Sequence, residues 1–407
     1  MPLIRPFAGL RPTPEHAAEV IAPPYDVLNS EEAAALAAGK PWSFLHISKP
    51  EIDLPAGTDP YAPAVYAKAA ENLRRMVKQG VLMRDKQPHY YVYRLIMGKH
   101  VQTGLVAAAS VADYDTNRIR KHEYTRPAKE DDRVRQIKAL NAQTGPVLLA
   151  YPSQPKLDAL LQKIAQGKPV YDLKAHDGIG HALWIVDSPA DTDTISRTFD
   201  AMDAVYIADG HHRSAAASRI ARELNKPAEH MSRYFLAVIF PHDQMKILDY
   251  NRVITDLNGL SKEQFLDRIG RNFKVAKEGE AVSPAKAGEF GMYMGKQWYR
   301  LNIDPKLIPA DPVKKLDVSL LADNLIEPVL GIKDPRTDSR IDFVGGMRGL
   351  KELEKRVDSG EMAVAFSMFP TTLSDLMAVA DSNQVMPPKS TWFEPKLADG
   401  MVSHILD

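Results

Sequence analysis

The amino-acid sequence predicts an α+β protein with a mixed sheet at its core. Short runs of β-branched and aromatic residues, such as 147–151, 205–208 and 234–240, are typical of buried strands. Segments with helical apolar spacing, such as 62–80 and 155–165, lie between such runs. This interleaving indicates that helices and strands are mixed along the chain.

Each predicted helix rests on its apolar spacing and on the residues at its ends. Ser30 precedes two glutamates and Gly39 ends the same segment, which is the pattern of a short capped helix. A further helix is predicted from Ser214 onward, because helix formers follow a polar turn. The other predicted helices cover residues 62–80, 118–145, 155–165, 192–202 and 261–272.

Each predicted strand is a short apolar or alternating run bounded by turn-forming residues. Gly98 separates two alternating runs and predicts a β-hairpin, and the turn after Pro241 predicts a second hairpin. The predicted strands cover residues 90–96, 101–107, 147–151, 181–187, 205–208, 234–240, 246–254, 288–303 and 341–346.

The length of 407 residues and the hydrophobic content of 44% leave room for two or three domains with sizeable cores. We predict an N-terminal α/β region over 1–110, a core over 111–258 and a small α/β insertion module over 259–310. A C-terminal α/β region over 311–407 is expected to pack back on the core, because residues 386–396 are too rigid and aromatic for a disordered tail.

Composition excludes several functional classes. Lys plus Arg and Asp plus Glu both number 52, so no net charge draws the chain to nucleic acid or to lipid. The absence of cysteine excludes disulfides, thiol catalysis and cysteine-ligated metals. No signal pattern and no apolar run of membrane-spanning length is found. We therefore expect a cytoplasmic protein with a small-molecule partner and no membrane or nucleic-acid partner; homo-oligomers remain possible.

Polar residues crowd the turn after the strand at 205–208. Asp209, Gly210, His211, His212 and Arg213 precede a helix, whose free N–H groups and dipole favour an anion such as phosphate or carboxylate. Two other interpretations remain open. The histidines could cap the helix and satisfy neighbouring carbonyls, or they could bind a metal with Asp209 or a remote carboxylate.

A second cluster lies at 121–133. Glu123 offers a general base with His122 and Thr125 as polar neighbours, and Lys129 and Arg133 offer cations for phosphate oxygens. The alternative for the part after Pro127 is the solvated start of a helix with local ion pairs.

A third cluster covers 334–340 and 345–348. Its charges could hold substrate or Mg²⁺, or form an ordinary polar turn. Upstream, the prolines before Tyr25 and Asp26 hold the backbone extended and display both side chains, which suits a ligand contact. No Walker-type or Rossmann-type glycine motif occurs, so the common nucleotide folds are not indicated.

Five ordered motifs together resemble the bacterial and archaeal family of domains of unknown function numbered ten-fifteen, which brings no established activity. The motifs are Arg-Pro-Phe-Ala-Gly-Leu-Arg at 5–11, Ala-Pro-Pro-Tyr-Asp-Val at 22–27, His-Glu-x-Thr with Lys-Glu-x-Asp-Arg at 122–133, Asp-Gly-His-His-Arg at 209–213 and Asp-Phe-Val-Gly-Gly at 342–346.

The motif at 209–213 is also similar to the signature loop of the ParB/sulfiredoxin-like superfamily, and most similar to its free serine kinase branch. This resemblance implies a ParB/sulfiredoxin-like strand–loop–helix element. Those kinases carry Pro-His-Glu-x-Thr before the loop, whereas Lys121 replaces the proline here and the two motifs lie farther apart. The carry-over to Glu123 therefore depends on how the longer insertion is aligned.

The resemblance implies roles in phosphoryl transfer. Glu123 would accept the proton of a substrate hydroxyl, and Asp209 would orient substrate or help to hold Mg²⁺. His211 and the rest of the loop would bind phosphates. The implied substrate contacts are Tyr25, Asp26, His122 and Thr125. The implied phosphate-binding residues are Gly210, His212, Arg213, Lys129 and Arg133.

The implied function is transfer of a phosphoryl group between a nucleotide, ATP or ADP with Mg²⁺, and a small hydroxylated metabolite, first of all serine or phosphoserine. The direction, or hydrolysis of a phosphate ester, stays open. The alternative is a ParB-like nucleotide-dependent switch that binds DNA or a partner protein without turnover, although no basic helix-turn-helix segment is found. Sulfiredoxin-like chemistry is excluded because it requires a cysteine.

Overall fold

The computed structural model describes residues 2–407 and confirms the α+β class. The contacts divide the chain into two compact units. The first runs up to Met245 and includes 395–407, and the second is Lys246–Glu394. The predicted segments instead end at 110, 258 and 310, so the structural boundaries fall at other positions.

Helices and strands are numbered in chain order. The helices are α1 Ala17–Val20, α2 Ser30–Ala37, α3 Leu45–Ser48, α4 Pro63–Lys78, α5 Val111–Asp115, α6 Pro127–Leu140, α7 Pro155–Ile164, α8 Pro189–Asp200, α9 His211–Leu224, α10 Lys262–Ile269, α11 Asp317–Leu321, α12 Glu327–Leu330, α13 Leu350–Asp358 and α14 Leu373–Asp381. The strands are β1 Ile4–Arg5, β2 Leu10–Pro12, β3 Leu82–Arg84, β4 Tyr90–Met97, β5 His100–Ser110, β6 Ile119–Arg120, β7 Ala142–Gln143, β8 Val147–Tyr151, β9 Tyr171–Lys174, β10 Gly180–Val186, β11 Val205–Asp209, β12 Tyr234–Pro241, β13 Lys246–Leu248, β14 Tyr250–Ile254, β15 Phe273–Glu278, β16 Glu289–Met294, β17 Gln297–Ile303, β18 Ile341–Gly345, β19 Val364–Met368, β20 Trp392–Glu394 and β21 His404–Ile405.

The first unit is built on a nine-stranded mixed sheet. Its order is β6-β11-β8-β12-β5-β4-β10-β9, with β1 paired to β5. The pairs β11–β6 and β12–β8 are parallel and the other pairs are antiparallel. The predicted hairpin at Gly98 is present as β4–β5, with Met97 opposite His100. Strands β8 and β11 are neighbours, so the turn after β11 lies beside the start of β8.

The second unit contains a six-stranded antiparallel sheet in the order β15-β17-β16-β19-β14-β18. The hairpin predicted around Pro241 is wrong, because β12 pairs with β5 and β8 whereas β14 pairs with β18 and β19. The segment 259–310 does not form a separate sheet either, since β16 pairs with β19. An apolar run predicts a buried strand but does not specify its partner.

Helix α6 is shorter than the predicted helical stretch over 118–145. Pro127 occupies its first turn, where the missing N–H is not needed, and Asn141 ends it in the left-handed conformation with φ 51°. The residues between β6 and α6, which include Glu123, are therefore free to follow an irregular path. Apolar residues of α6 and α9 form a shared cluster, namely Val134, Ile137, Ala216 and Ile220.

The main core of the first unit lies on its sheet and includes Leu149, Ile207 and Ile239, none of which is exposed. Among the described residues, no helix is both long and apolar enough to cross a membrane. The rigid sheet and the α6–α9 pair together fix the turn at 209–213.

Candidate active site

The turn between β11 and α9 requires glycine at position 210. Gly210 has φ 101°, which L-residues rarely adopt, and it lies just before the first residue of α9. A Cβ atom there would lie 3.1 Å from Nε of Arg213 and 3.2 Å from Cα of Val147. No side chain caps α9, so the N–H groups of its first turn are available to an anion.

Arg213 lies under this turn with its side chain only 11% exposed. One nitrogen, Nη1, donates to the carbonyl of Pro146. The other, Nη2, lies 3.5 Å from Asp209 and 4.0 Å from Asp26. Burial by itself would lower the pKa of Arg213, but Asp209 and Asp26 raise it above its usual value, so the guanidinium stays charged.

Asp209 is held between two cations. Its Oδ2 lies 3.3 Å from Nζ of Lys396, and its Oδ1 faces Arg213. Burial would raise the pKa of Asp209, but Lys396 and Arg213 lower it to about 2. Asp209 is therefore ionised throughout the physiological range.

The two histidines of the turn accept backbone hydrogen bonds from the segment before α6. Nε2 of His211 accepts from the N–H of His122 at 3.4 Å, and Nε2 of His212 accepts from the N–H of Arg126 at 3.0 Å. Burial lowers the pKa of both rings, so both are neutral at pH 7. The histidines thus attach the segment that carries Glu123 to the start of α9.

Glu123 lies next to His211. One carboxylate oxygen, Oε2, is 4.0 Å from Nδ1 of His211, and the Glu123 side chain is 55% exposed. Because Nε2 of His211 accepts a hydrogen bond, its proton is on Nδ1 and faces this carboxylate. The arrangement places an accessible carboxylate at the edge of the turn at 209–213.

His122, Glu123 and His211 could also approach a metal ion, since one ligand atom of each lies within 4.8 Å of the others. His122 is 2% exposed and its Nδ1 has no hydrogen-bond partner among the described residues. A ligating nitrogen must be unprotonated, however, and Nδ1 of His211 carries the proton. In this arrangement, of the two rings only that of His122 offers a lone pair, beside the carboxylate of Glu123.

Tyr25 and Arg133 meet on the other side of Arg213. The guanidinium carbon of Arg133 lies 3.8 Å from the centre of the Tyr25 ring, and Arg133 bonds to Asp132 at 2.6 Å. Burial raises the pKa of Tyr25 to about 12, so its hydroxyl keeps its proton. Tyr25, Arg133 and Arg213 line one cavity, and Asp26 lies 4.0 Å from Nη2 of Arg213.

Two predicted ligand residues point to neighbours outside the turn. Lys129 donates to the hydroxyl of Tyr61 at 2.9 Å, and Thr125 bonds to Glu130. The charged residues of the third sequence cluster form local ion pairs in the second unit. For example, a carboxylate oxygen of Asp334 lies 2.8 Å from Nη2 of Arg336. That cluster has the contacts of a polar turn.

Sequence reasoning missed Lys396 and Asp399 as candidate site residues. The rigid segment 386–396 was expected to pack back, but nothing in it singled out Lys396 as the partner of Asp209. Asp399 is 1% exposed, and its backbone exchanges hydrogen bonds with Ala22. No local pattern marks an aspartate in such a position.

The chain belongs to the family described as proteins of unknown function (DUF1015), whose pattern matches residues 4–319. This confirms the resemblance seen in the sequence motifs. A search of curated proteins finds no match.

Several solved structures are similar to this chain. A free serine kinase in complex with AMP is 16% identical, with a TM-score of 0.35, and the match covers 72% of this chain and 88% of that one. A conserved hypothetical protein from Pyrococcus furiosus is 17% identical, with a TM-score of 0.33 and coverage of 75% and 96%. SbnI with a C-terminal truncation, from Staphylococcus aureus, is 10% identical, with a TM-score of 0.39 and coverage of 72% and 85%.

Proposed function

We propose that this protein binds a nucleotide and transfers a phosphoryl group between it and a small hydroxylated metabolite. The observation that carries the proposal is the uncapped start of α9, which lies above the buried cation Arg213 and beside the carboxylate of Glu123. Phosphoryl transfer depends mainly on positioning and on neutralising charge, and these groups supply both.

In the direction of kinase action, the substrate hydroxyl loses its proton to Glu123 as its oxygen bonds to the terminal phosphorus. The bond from that phosphorus to the bridging oxygen of the nucleotide breaks, and the nucleotide leaves with the electron pair. The N–H groups of α9 and Arg213 stabilise the charge on the phosphate oxygens. Neutral His211 keeps Glu123 beside this site.

Mg²⁺ fits the oxygen donors of this region. Mg²⁺ is usually bound by one or two carboxylates together with substrate phosphates. Asp209 is ionised at neutral pH, and both Asp209 and Asp26 lie within 4.0 Å of the guanidinium of Arg213. These two carboxylates would therefore hold the ion against the phosphates. The choice of serine as the first acceptor to test comes from the motif resemblance alone.

The test is phosphorus NMR of the full chain with Mg²⁺. Serine is supplied with ATP or with ADP, and phosphoserine is supplied with AMP, with ADP or alone. We expect phosphoserine to form or to be consumed, and Asp209→Asn to abolish the change. Asp334→Asn is the matched control, because Asp334 pairs locally with Arg336.

Other outcomes separate the alternatives. Turnover of phosphoserine without nucleotide would indicate hydrolysis in place of transfer. If ADP binds but no phosphorus signal changes with serine or with a panel of other hydroxylated metabolites, phosphoryl transfer is refuted and a nucleotide-dependent switch takes its place.

A further inference from the structure

A small polar cavity lies beside Arg213 in the first unit. Its wall includes Arg133, Tyr25, Ser48 and Asp399, and the volume of the cavity is about 30 Å³. A single buried water needs roughly 10–15 Å³ of such space. The cavity therefore holds about two oxygen-sized atoms.

Two atoms of the cavity wall have no hydrogen-bond partner among the described residues. They are Oγ of Ser48 and Oδ1 of Asp399, and both are fully buried. Buried polar atoms in folded proteins are almost always paired with protein, water or ligand. Their shared location indicates that the cavity is built to contain a polar group.

The charges of the wall favour an oxyanion. Arg133 uses Nε and Nη2 for Asp132, which leaves Nη1 without a hydrogen bond among the described residues. Arg213 supplies a second guanidinium at the cavity. An ammonium group would meet two cations here, whereas a carboxylate would meet two donors of the type that bind it best.

Asp399 does not oppose an anion when it carries a proton. Burial raises its pKa to about 7, against the lowering effect of Arg213 and Arg133 and with a further increase from Asp26. Its carboxyl also accepts from the backbone of Tyr25. In the protonated form, Asp399 is a hydrogen-bond donor.

We propose that this cavity binds the carboxylate of the phosphoryl acceptor, and that the acceptor is therefore a hydroxylated carboxylic acid. The two carboxylate oxygens match the two oxygen-sized positions, and the donors are Arg133, Ser48 and protonated Asp399. The assignment of the ligand as the acceptor rests on the proposed function, whereas carboxylate binding itself does not.

Calorimetry of the full chain without nucleotide tests the binding step. L-Serine and glycerate carry the carboxylate, and serinamide and ethanolamine lack it. We expect the first two to bind at least tenfold more tightly than the last two. Equal affinity for serine and serinamide, or failure of both carboxylates to bind, would overturn the proposal.

Gly145→Ala tests the location. A Cβ at Gly145 would lie 3.4 Å from Cδ of Arg213 and 3.7 Å from Oδ1 of Asp399, so the methyl group takes up cavity space without severe overlap. We expect at least tenfold weaker serine binding with an unchanged unfolding transition. Gly279→Ala is the matched control, because a Cβ there meets nothing within 4 Å. Unchanged serine affinity in Gly145→Ala would place the carboxylate elsewhere.

Asp399→Asn tests the proton. The groups that face Asp399 are Arg213 on α9, Arg133 on α6, and Tyr25 and Asp26. The last two residues lie in a turn closed by the N–H of Val27 and the carbonyl of Pro24, not on the extended backbone predicted from the prolines. Because asparagine keeps a donor and does not ionise, serine should bind the variant equally at pH 6 and pH 8. The wild type should lose up to tenfold in affinity per pH unit above 7. A wild-type affinity that does not change with pH would refute the role of the proton.

The two proposals fail separately. Carboxylate binding without any phosphoryl transfer would refute the proposed function and leave this cavity as a binding site. Transfer to ethanolamine or serinamide at the rate found for serine would refute this inference and leave the proposed function in place.

Discussion

Replacement of Gly210 by alanine tests whether the geometry of the turn creates the anion site. Gly210 has φ 101° and ψ 27°. A left-handed conformation costs an L-residue about 1–2 kcal/mol. The new Cβ would also press on Cα of Val147 at 3.2 Å and on Nε of Arg213 at 3.1 Å, and overpacking of this kind costs roughly 1–3 kcal/mol. We therefore expect Gly210→Ala to lower the free energy of unfolding by about 2–5 kcal/mol.

The control is Gly39→Ala. Gly39 also has a positive φ, 72°, but a Cβ there meets nothing within 4 Å. This variant should lose only the conformational part, about 1–2 kcal/mol. Urea denaturation followed by circular dichroism measures both values, and calorimetry with ADP measures the site. Because movement of Arg213 and of the first turn of α9 disturbs the phosphate donors, ADP should bind about tenfold more weakly to Gly210→Ala only. Equal destabilisation of the two variants, with unchanged ADP affinity, would refute the reasoning.

Three further predictions concern individual side chains. Glu123→Gln should lower turnover by about 10²–10⁴-fold and leave ADP affinity unchanged, because a general base contributes a factor of that size; exposed Tyr124→Phe is the control, and full activity of the glutamine variant would place the base elsewhere. Lys396→Met should raise the pKa of Asp209 above its value of about 2, because one of its two cations is removed. Carbon-13 NMR of the carboxyl group checks this, and an unchanged pKa would contradict the ion pair. The free energy of unfolding should fall as the pH drops from about 6.5 towards 4, because burial lowers the pKa of His122 to about 4 and the unfolded chain takes up the proton first. Urea denaturation at several pH values measures the change in the free energy of unfolding per pH unit. In His122→Gln this pH dependence should be smaller by up to about 1.4 kcal/mol per pH unit. The same pH dependence in the variant and the wild type would contradict a neutral buried His122 ring.

The local part of the candidate site could be predicted from the sequence. The strand begins at Val205 as predicted and extends one residue farther than predicted, to Asp209, and the helix after it begins at His211, three residues earlier than Ser214. The apolar run, Gly210 and the helix formers that predict this segment lie close together in the sequence. Short-range rules are sufficient for such a segment.

The long-range part could not be predicted in the same way. Lys396 reaches Asp209 across 187 positions of sequence, and Asp399 is held by backbone bonds to Ala22. The pairing of β14 with β18 and β19 is likewise set by the tertiary fold. Periodicity marks which residues are buried, but partners far along the chain are chosen by packing and by charge.

The histidine pair shows why residue types alone assigned some roles incompletely. Both rings use Nε2 as an acceptor for backbone N–H groups of the segment 122–126, and burial keeps both rings neutral. They cannot therefore act as cations toward a phosphate at neutral pH. The positive charge of the site comes from Arg213 and Lys396, and the N–H groups of α9 add uncharged donors. His211 and His212 connect the segment 122–126 to the start of α9. Their hydrogen bonds to backbone N–H groups of that segment hold Glu123 beside the turn at 209–213. A substitution that keeps an acceptor at the position of Nε2, such as His212→Gln, should accordingly preserve activity better than His212→Ala.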